Sequence, residues 1–210
     1  MSLSVISVPP VSGKPTAGLL AVLHGFGGNA QELASLAPGL NLSDYQLMFA
    51  NAPFSHPYTS TGRMWYDLGR SQDAPQQLAQ SRQLLTEWLT SLESATGIPL
   101  SRTVLCGFSQ GGAMTLDVGL NLPLGGLVVL SGYLHPVSQR SDRGYPPVLI
   151  AHGTQDTIVP LSSAQKAREA LTALGVSVRY QEFNMGHYVL PEELQVVQNF
   201  VLEVTSNVKK

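Results

Sequence analysis

Apolar residues follow two rhythms along this chain. Runs at 18–23, 103–107, 126–130 and 148–152 are almost continuously apolar, as in Leu127-Val128-Val129-Leu130. Such runs suit strands covered on both faces, the setting of a central parallel sheet. Further strands are predicted at 4–8, 45–50 and 177–183. The second rhythm is helical. From Ala74 to Leu92, the residues Leu78, Leu85, Trp88, Leu89 and Leu92 recur at steps that put them on one helix face. Ala113, Met114, Leu116 and Leu120 repeat the pattern. A third helix is predicted over 162–174, stopping at Gly175, and a fourth after Pro191, since proline suits a first helical turn. Strands alternating with helices predict an α/β fold, doubly wound, with a mostly parallel sheet and helices on both faces.

Bulk properties narrow the function. No internal repeat or low-complexity linker divides the 210 residues, which predicts a single domain over 1–210. The net charge is −2, and basic residues cluster only at Lys209-Lys210, so nucleic acid is not an expected partner. No apolar run approaches the roughly 20 residues that span a bilayer, so no integral membrane segment is expected. The start, Met1-Ser2-Leu3-Ser4-Val5, lacks a basic region followed by a long apolar one, and the expected location is the cytoplasm. Cys106 is the only cysteine, which excludes an internal disulfide and reads as a buried strand residue. The five histidines show no metal-ligand spacing, so no metal site is expected.

Chemistry enters at Gly107-Phe108-Ser109-Gln110-Gly111, between an apolar run and a helical stretch. A strand turning sharply into a helix exposes the hydroxyl of its central serine, and the flanking glycines remove crowding. The spelling alone is weak evidence; the context carries it. Asp156 follows the strand 148–152, and His187 follows the strand 177–183 and the turn Asn184-Met185-Gly186. The chain order Ser, Asp, His fits this elbow. Ser109 is then the nucleophile, His187 its base, and Asp156 the group that fixes the imidazole tautomer. Asp142 is the alternative acid. Stabilisation of an oxyanion needs two amides. Gln110 supplies one at a helix N-terminus, and Phe26 is the best candidate for the other, in His24-Gly25-Phe26-Gly27-Gly28 after the strand 18–23. His152 reads as structural.

The stretch from Asn51 to Asp73 holds Phe54, Tyr58, Trp65 and Tyr66. Long loops of this kind are usually functional, so Phe54, Trp65 and Tyr66 are expected to wall the substrate groove, the alternative being that these aromatics cap the core. Ser131 to Pro147, with Tyr133 and Leu134, is the expected second wall. No segment is long enough for a lid domain, which predicts an open site. Two other functions compete. Gly25-Phe26-Gly27-Gly28-Asn29-Ala30 also fits a dinucleotide-binding turn of an oxidoreductase, although Asp44 precedes the strand 45–50 and Asn51 stands where its acidic residue belongs. The fold could also serve a non-catalytic ligand-binding protein.

These residues together resemble the phospholipase/carboxylesterase and acyl-protein thioesterase family of serine α/β-hydrolases. The likeness runs from about Gly18 to Val201. It rests on His24-Gly25-Phe26-Gly27-Gly28, Trp65-Tyr66-Asp67, Gly107-Phe108-Ser109-Gln110-Gly111-Gly112, the run from Gly153 to Pro160, and Gly186-His187. The resemblance implies hydrolysis of acyl esters through an acyl-enzyme, with thioester or lysophospholipid hydrolysis as the alternative. It implies Ser109, Asp156 and His187 as triad, Phe26 and Gln110 as oxyanion hole, and no cofactor. The implied partner is a small acyl ester or thioester, a lipid or an acylated protein among them. Cys106 stands where a smaller residue is expected, and His135 interrupts Ser131-Gly132-Tyr133-Leu134-His135-Pro136, a departure that bears on substrate choice.

Overall fold

The structure, a computed structural model, describes residues 2–69, 72–136 and 144–206. Its strands in chain order are β1 (Val5–Val8), β2 (Gly18–Leu23), β3 (Tyr45–Ala50), β4 (Phe54–Ser55), β5 (Arg63–Met64), β6 (Thr103–Phe108), β7 (Gly126–Leu130), β8 (Val148–Gly153) and β9 (Val178–Phe183). The helices are α1 (Ala30–Ala34), α2 (Ala74–Thr96), α3 (Gln110–Gly119), α4 (Leu161–Ala173) and α5 (Pro191–Ser206). Seven strands form one sheet in the order β1-β3-β2-β6-β7-β8-β9. Only β1 runs antiparallel to its neighbour.

Alternation within each strand builds the two layers. Leu19, Ala21, Leu23, Leu105, Val129 and Ile150 face one side, where they pack with Leu85 and Leu89 of α2, Leu116 of α3 and Leu171 of α4. Leu20, Val22, Val104, Cys106, Leu130 and Ala151 face the other, against Ala30 of α1 and Val197, Phe200 and Val201 of α5. Each central strand therefore buries both faces, as its unbroken apolar run requires. Helix α3 is buried almost throughout and lies directly on β6 and β7.

The chain winds outward from β2 to β3, then returns to place β6 on the other side of β2. That reversal splits the loops leaving the carboxyl ends of β2 and β6, and opens the crevice where open α/β sheets hold their ligands. The loop from β2 carries His24 to Gly28; the loop from β6 is the turn at Ser109.

Part of the long stretch after β3 is ordered as a hairpin, in which Phe54 pairs with Met64 and Ser55 with Arg63. Strands of two residues leave too little periodicity to be read from sequence. Among the described residues, no helix is long and apolar enough to cross a membrane.

Candidate active site

Ser109 occupies the turn between β6 and α3 with φ 54° and ψ −118°. A non-glycine residue rarely adopts this backbone, which survives only where its surroundings enforce it. They do so here. The Ser109 amide donates to the Leu130 carbonyl at 2.8 Å, locking the turn to β7. A Cβ at Gly107 would lie 2.2 Å from the Gly111 carbonyl oxygen, and one at Gly111 would lie 2.5 Å from that of Leu23. Glycine at both positions is what allows strand, turn and helix to close this tightly.

Asp156 leaves the carboxyl end of β8, and His187 follows β9. Their loops are joined by backbone: Thr154 N–H donates to the Phe183 carbonyl at 2.8 Å and Gln155 N–H to that of Met185 at 3.0 Å. Asp156 Oδ1 accepts from the amides of Ile158 and Val159 at 2.9 and 2.8 Å. Its Oδ2 lies 2.7 Å from His187 Nδ1, and His187 Nε2 lies 2.9 Å from Ser109 Oγ. Burial of the Asp156 carboxyl works to raise its pKa, but His187 and the two amides outweigh it and hold the group below its ordinary value. A carboxylate only accepts hydrogen bonds, so Nδ1 of a neutral His187 carries the hydrogen. Nε2 then offers its lone pair to the serine hydroxyl. His152 Nε2 donates to the Val159 carbonyl at 2.8 Å and closes the loop that holds Asp156, the structural part expected of it. Asp142 lies outside the described residues.

The loop after β2 is pinned from three sides. Buried His24 donates from Nδ1 to the Gly25 carbonyl at 2.7 Å and accepts at Nε2 from the Ala52 amide at 3.0 Å. Burial lowers its pKa to about 4, so the ring is neutral at physiological pH and can fill both roles. Gly27 N–H donates to the Arg63 carbonyl, and Arg63 N–H to that of Gly28, each at 2.8 Å. The Phe26 ring stands edge-on to His56, with centroids 4.6 Å apart. Gly25 packs so closely on the turn that a Cβ there would lie 3.1 Å from the Ser109 Cβ. Phe26 and Gln110 thus border the same groove as Ser109 and His187. Gln110 also uses its side chain, accepting from the Trp65 amide at 3.0 Å and donating to the Tyr66 carbonyl at 2.7 Å.

This groove has a volume of about 420 Å³. Its rim includes Leu68 and Ile158, which are 55% and 69% exposed, so it opens broadly to solvent. Of the residues expected to wall it, Tyr133 does so. Trp65 does not: it is 0% exposed, packs in the core, and donates from its indole N–H to the His24 carbonyl at 3.0 Å. Tyr66 is buried behind Tyr133, with its hydroxyl bonded to Tyr133 and to His135. Phe54 belongs to the hairpin, and Leu134 lines a neighbouring cavity against α4 that shares Tyr133 and Ser163 with the groove. An aromatic-rich stretch signals burial as readily as ligand contact, and here burial won. Sequence reasoning missed Ile158, Val159 and Pro160, which line the groove. Their signal was position alone, directly after Asp156 on a loop at the carboxyl edge.

The dinucleotide reading fails on the same loop. Asn51 Oδ1, at the end of β3, accepts from the Ala30 amide at 2.8 Å, and Asn29 Oδ1 from that of Glu32 at 2.9 Å. The N-terminus that would receive a pyrophosphate is capped by side chains, and α1 is a short helix.

A profile of the phospholipase/carboxylesterase family matches residues 7–205. The chain is 29% identical to acyl-protein thioesterase 1 of Neurospora crassa, over 92% of this chain and 89% of that protein. It is also 29% identical to lysophospholipase-like protein 1 of Mus musculus, over 91% and 88%. Among solved structures, that of the esterase PE8 superposes with a TM-score of 0.86 at 29% identity, covering 97% of this chain and all of that one.

Proposed function

The chain belongs to the phospholipase/carboxylesterase family of serine α/β-hydrolases, and from that premise we propose that it hydrolyses acyl esters through an acyl-enzyme formed on Ser109. The observation that carries this reading is the continuous path from Asp156 Oδ2 to His187 Nδ1, and from His187 Nε2 to Ser109 Oγ, at 2.7 and 2.9 Å. As Ser109 Oγ attacks the ester carbonyl carbon, its proton passes to His187 Nε2, and Asp156 stabilises the imidazolium that forms. The carbonyl oxygen gains negative charge, and the amides of Phe26 and Gln110 donate to it. Collapse of the tetrahedral intermediate breaks the bond to the alcohol oxygen, which takes the proton from Nε2 and leaves. Water then enters the open groove, gives a proton to His187, attacks the acyl carbon, and releases the acid with Ser109 restored.

The names of the fungal and mouse relatives support a second reading, in which a thioester or a lysophospholipid is the substrate. The apolar contact that Leu68 and Ile158 offer along an open rim is compatible with either. Its openness also supports an acylated protein as a substrate.

Ser109→Ala tests the assignment. Turnover of a soluble short-chain ester should fall by several powers of ten, on the order of 10⁶. A fluorophosphonate should label the parent protein stoichiometrically and the variant not at all. Full labelling of the variant would refute Ser109 as nucleophile.

A further inference from the structure

The loop after β7 leads a chain of polar side chains to the groove, and the triad uses none of them. Tyr133 lines the groove beside Ser109 and His187. Its hydroxyl bonds the Tyr66 hydroxyl, which lies 2.9 Å from His135 Nε2. His135 Nδ1 stands 3.4 Å from Asp117 Oδ2, within ion-pair range though too poorly aligned for a good hydrogen bond. Asp117, on α3, accepts from Arg82 of α2 at 2.5 and 3.0 Å. The Gln110 side chain holds the Tyr66 carbonyl, so the elbow of Ser109 and this chain share one frame.

Donor and acceptor chemistry gives the chain a direction. Burial works to raise the pKa of Asp117, but His135 and Arg82 outweigh it and keep the carboxyl below its ordinary value. Asp117 is therefore a carboxylate, and a lone pair on Nδ1 3.4 Å from it would be repelled, so the hydrogen of a neutral His135 sits on Nδ1. Nε2 must then accept from the Tyr66 hydroxyl. Tyr66, having spent its proton, accepts from Tyr133, and Tyr133 has spent its own. Burial raises the pKa of both tyrosines, so neither loses its proton near neutrality. What is left to the hydroxyl of Tyr133, a residue that lines the groove, is a lone pair.

An acyl chain has no donor to give it; a hydroxyl on the alcohol side of an ester does. We propose that Tyr133 is a specificity-determining residue that accepts a hydrogen bond from a free hydroxyl on the alcohol part of the ester, with Tyr66, His135, Asp117 and Arg82 as the chain that aims it. The substrates so favoured are esters of polyhydroxylated alcohols. This inference rests on the ester-hydrolase reading and narrows it.

The test compares kcat/KM for glyceryl monobutyrate and its dimethyl ether, 2,3-dimethoxypropyl butyrate, which keeps every acceptor and loses both donors. The comparison is run at about pH 8. There the parent enzyme should favour the free hydroxyls by about 3–10-fold, the worth of one neutral hydrogen bond. Tyr133→Phe should bring the ratio near one. Tyr66→Phe, which frees the Tyr133 proton to turn toward the groove, should lower or invert it. Fluorophosphonate labelling of Ser109 identifies which variants are correctly folded, and either folded variant decides the matter. A parent ratio of one overturns the proposal, as does an equal loss on both esters with the ratio kept, the mark of a merely structural chain. In both cases continued turnover leaves the hydrolase reading standing. No turnover of either ester by the parent enzyme would remove that reading too.

Discussion

Asp156 divides its two oxygens between two tasks, and the division makes a sharp prediction. Oδ1 holds the Ile158 and Val159 amides, which shapes the loop; Oδ2 faces His187. An asparagine fits the same space. Its carbonyl oxygen can keep both amides, so the fold should survive, but its NH₂ then points at Nδ1 and donates. That forces the hydrogen of a neutral imidazole onto Nε2, where it faces Ser109 Oγ and cannot accept the serine proton. Asp156→Asn should therefore lower kcat by about 10³–10⁴ with little change in KM or melting temperature. A variant that melted far below the parent would show that loop geometry, and not the tautomer, was lost. A neighbouring histidine meets the opposite condition. His24 is neutral through burial, and its two ring nitrogens hold the backbone beside Ser109. From sequence, His24 and His187 each adjoin a glycine and look alike. Only the surrounding shell of atoms separates a positioning residue from the proposed base.

The stretch between β3 and α2 changes most in going from sequence to structure. Its aromatic content suggested a groove wall, yet it acts as a brace: β4 and β5 hold the loop after β2, and Trp65 fills the space beneath. Trp65→Phe keeps an aromatic ring but leaves the buried His24 carbonyl without the indole donor. The expected loss of stability is about 1–3 kcal/mol, measured by denaturant unfolding, and kcat/KM should fall by one common factor from acetyl to octanoyl esters. A fall that steepens with acyl length would instead place Trp65 on the acyl chain. The β-strands and helices of the main sheet, by contrast, were legible because burial imposes a period on each of them. β2, β6, β7 and β8 are apolar on both faces, and their observed limits lie within a residue of the apolar runs. The hairpin and α1 were not legible, since each is held by a few hydrogen bonds to distant residues such as Gly27 and Asn51. The candidate site was legible for a related reason. Ser109, Asp156 and His187 each follow a strand of the strong pattern, so the carboxyl edge could be inferred, whereas the groove lining depends on side-chain directions that no period encodes.

At the scale of the whole molecule, two buried groups, one in the first turn of α5 and one on the loop after β2, set opposing pH dependences of stability. Glu193, in the first turn of α5, is 0% exposed, and neither carboxyl oxygen finds a well-formed hydrogen bond. Burial pushes its pKa from 4.5 up to about 7, against the weaker opposite pull of the Leu190 amide. Between those values the unfolded chain has lost this proton while the folded protein keeps it, so stability falls as pH rises. His24 acts in reverse. Its folded pKa is lowered from 6.5 to about 4, so in that window the unfolded chain binds a proton that the folded protein refuses, and stability falls as pH drops. The two windows nearly coincide and the two slopes are of similar size. Their sum is close to flat from about pH 4.5 to 6.5, although each alone spans on the order of 3 kcal/mol. Glu193→Gln removes one slope and leaves the other. The glutamine itself shifts stability by a constant, because it does not titrate, so the informative quantity is the change with pH. Unfolding free energies of the variant should climb by roughly 2–3 kcal/mol relative to the parent protein between about pH 4.5 and 7, where the parent changes far less. Equal pH profiles for the two proteins would show that Glu193 is ionised in the fold at neutral pH, with a partner such as a buried water that stabilises its charge.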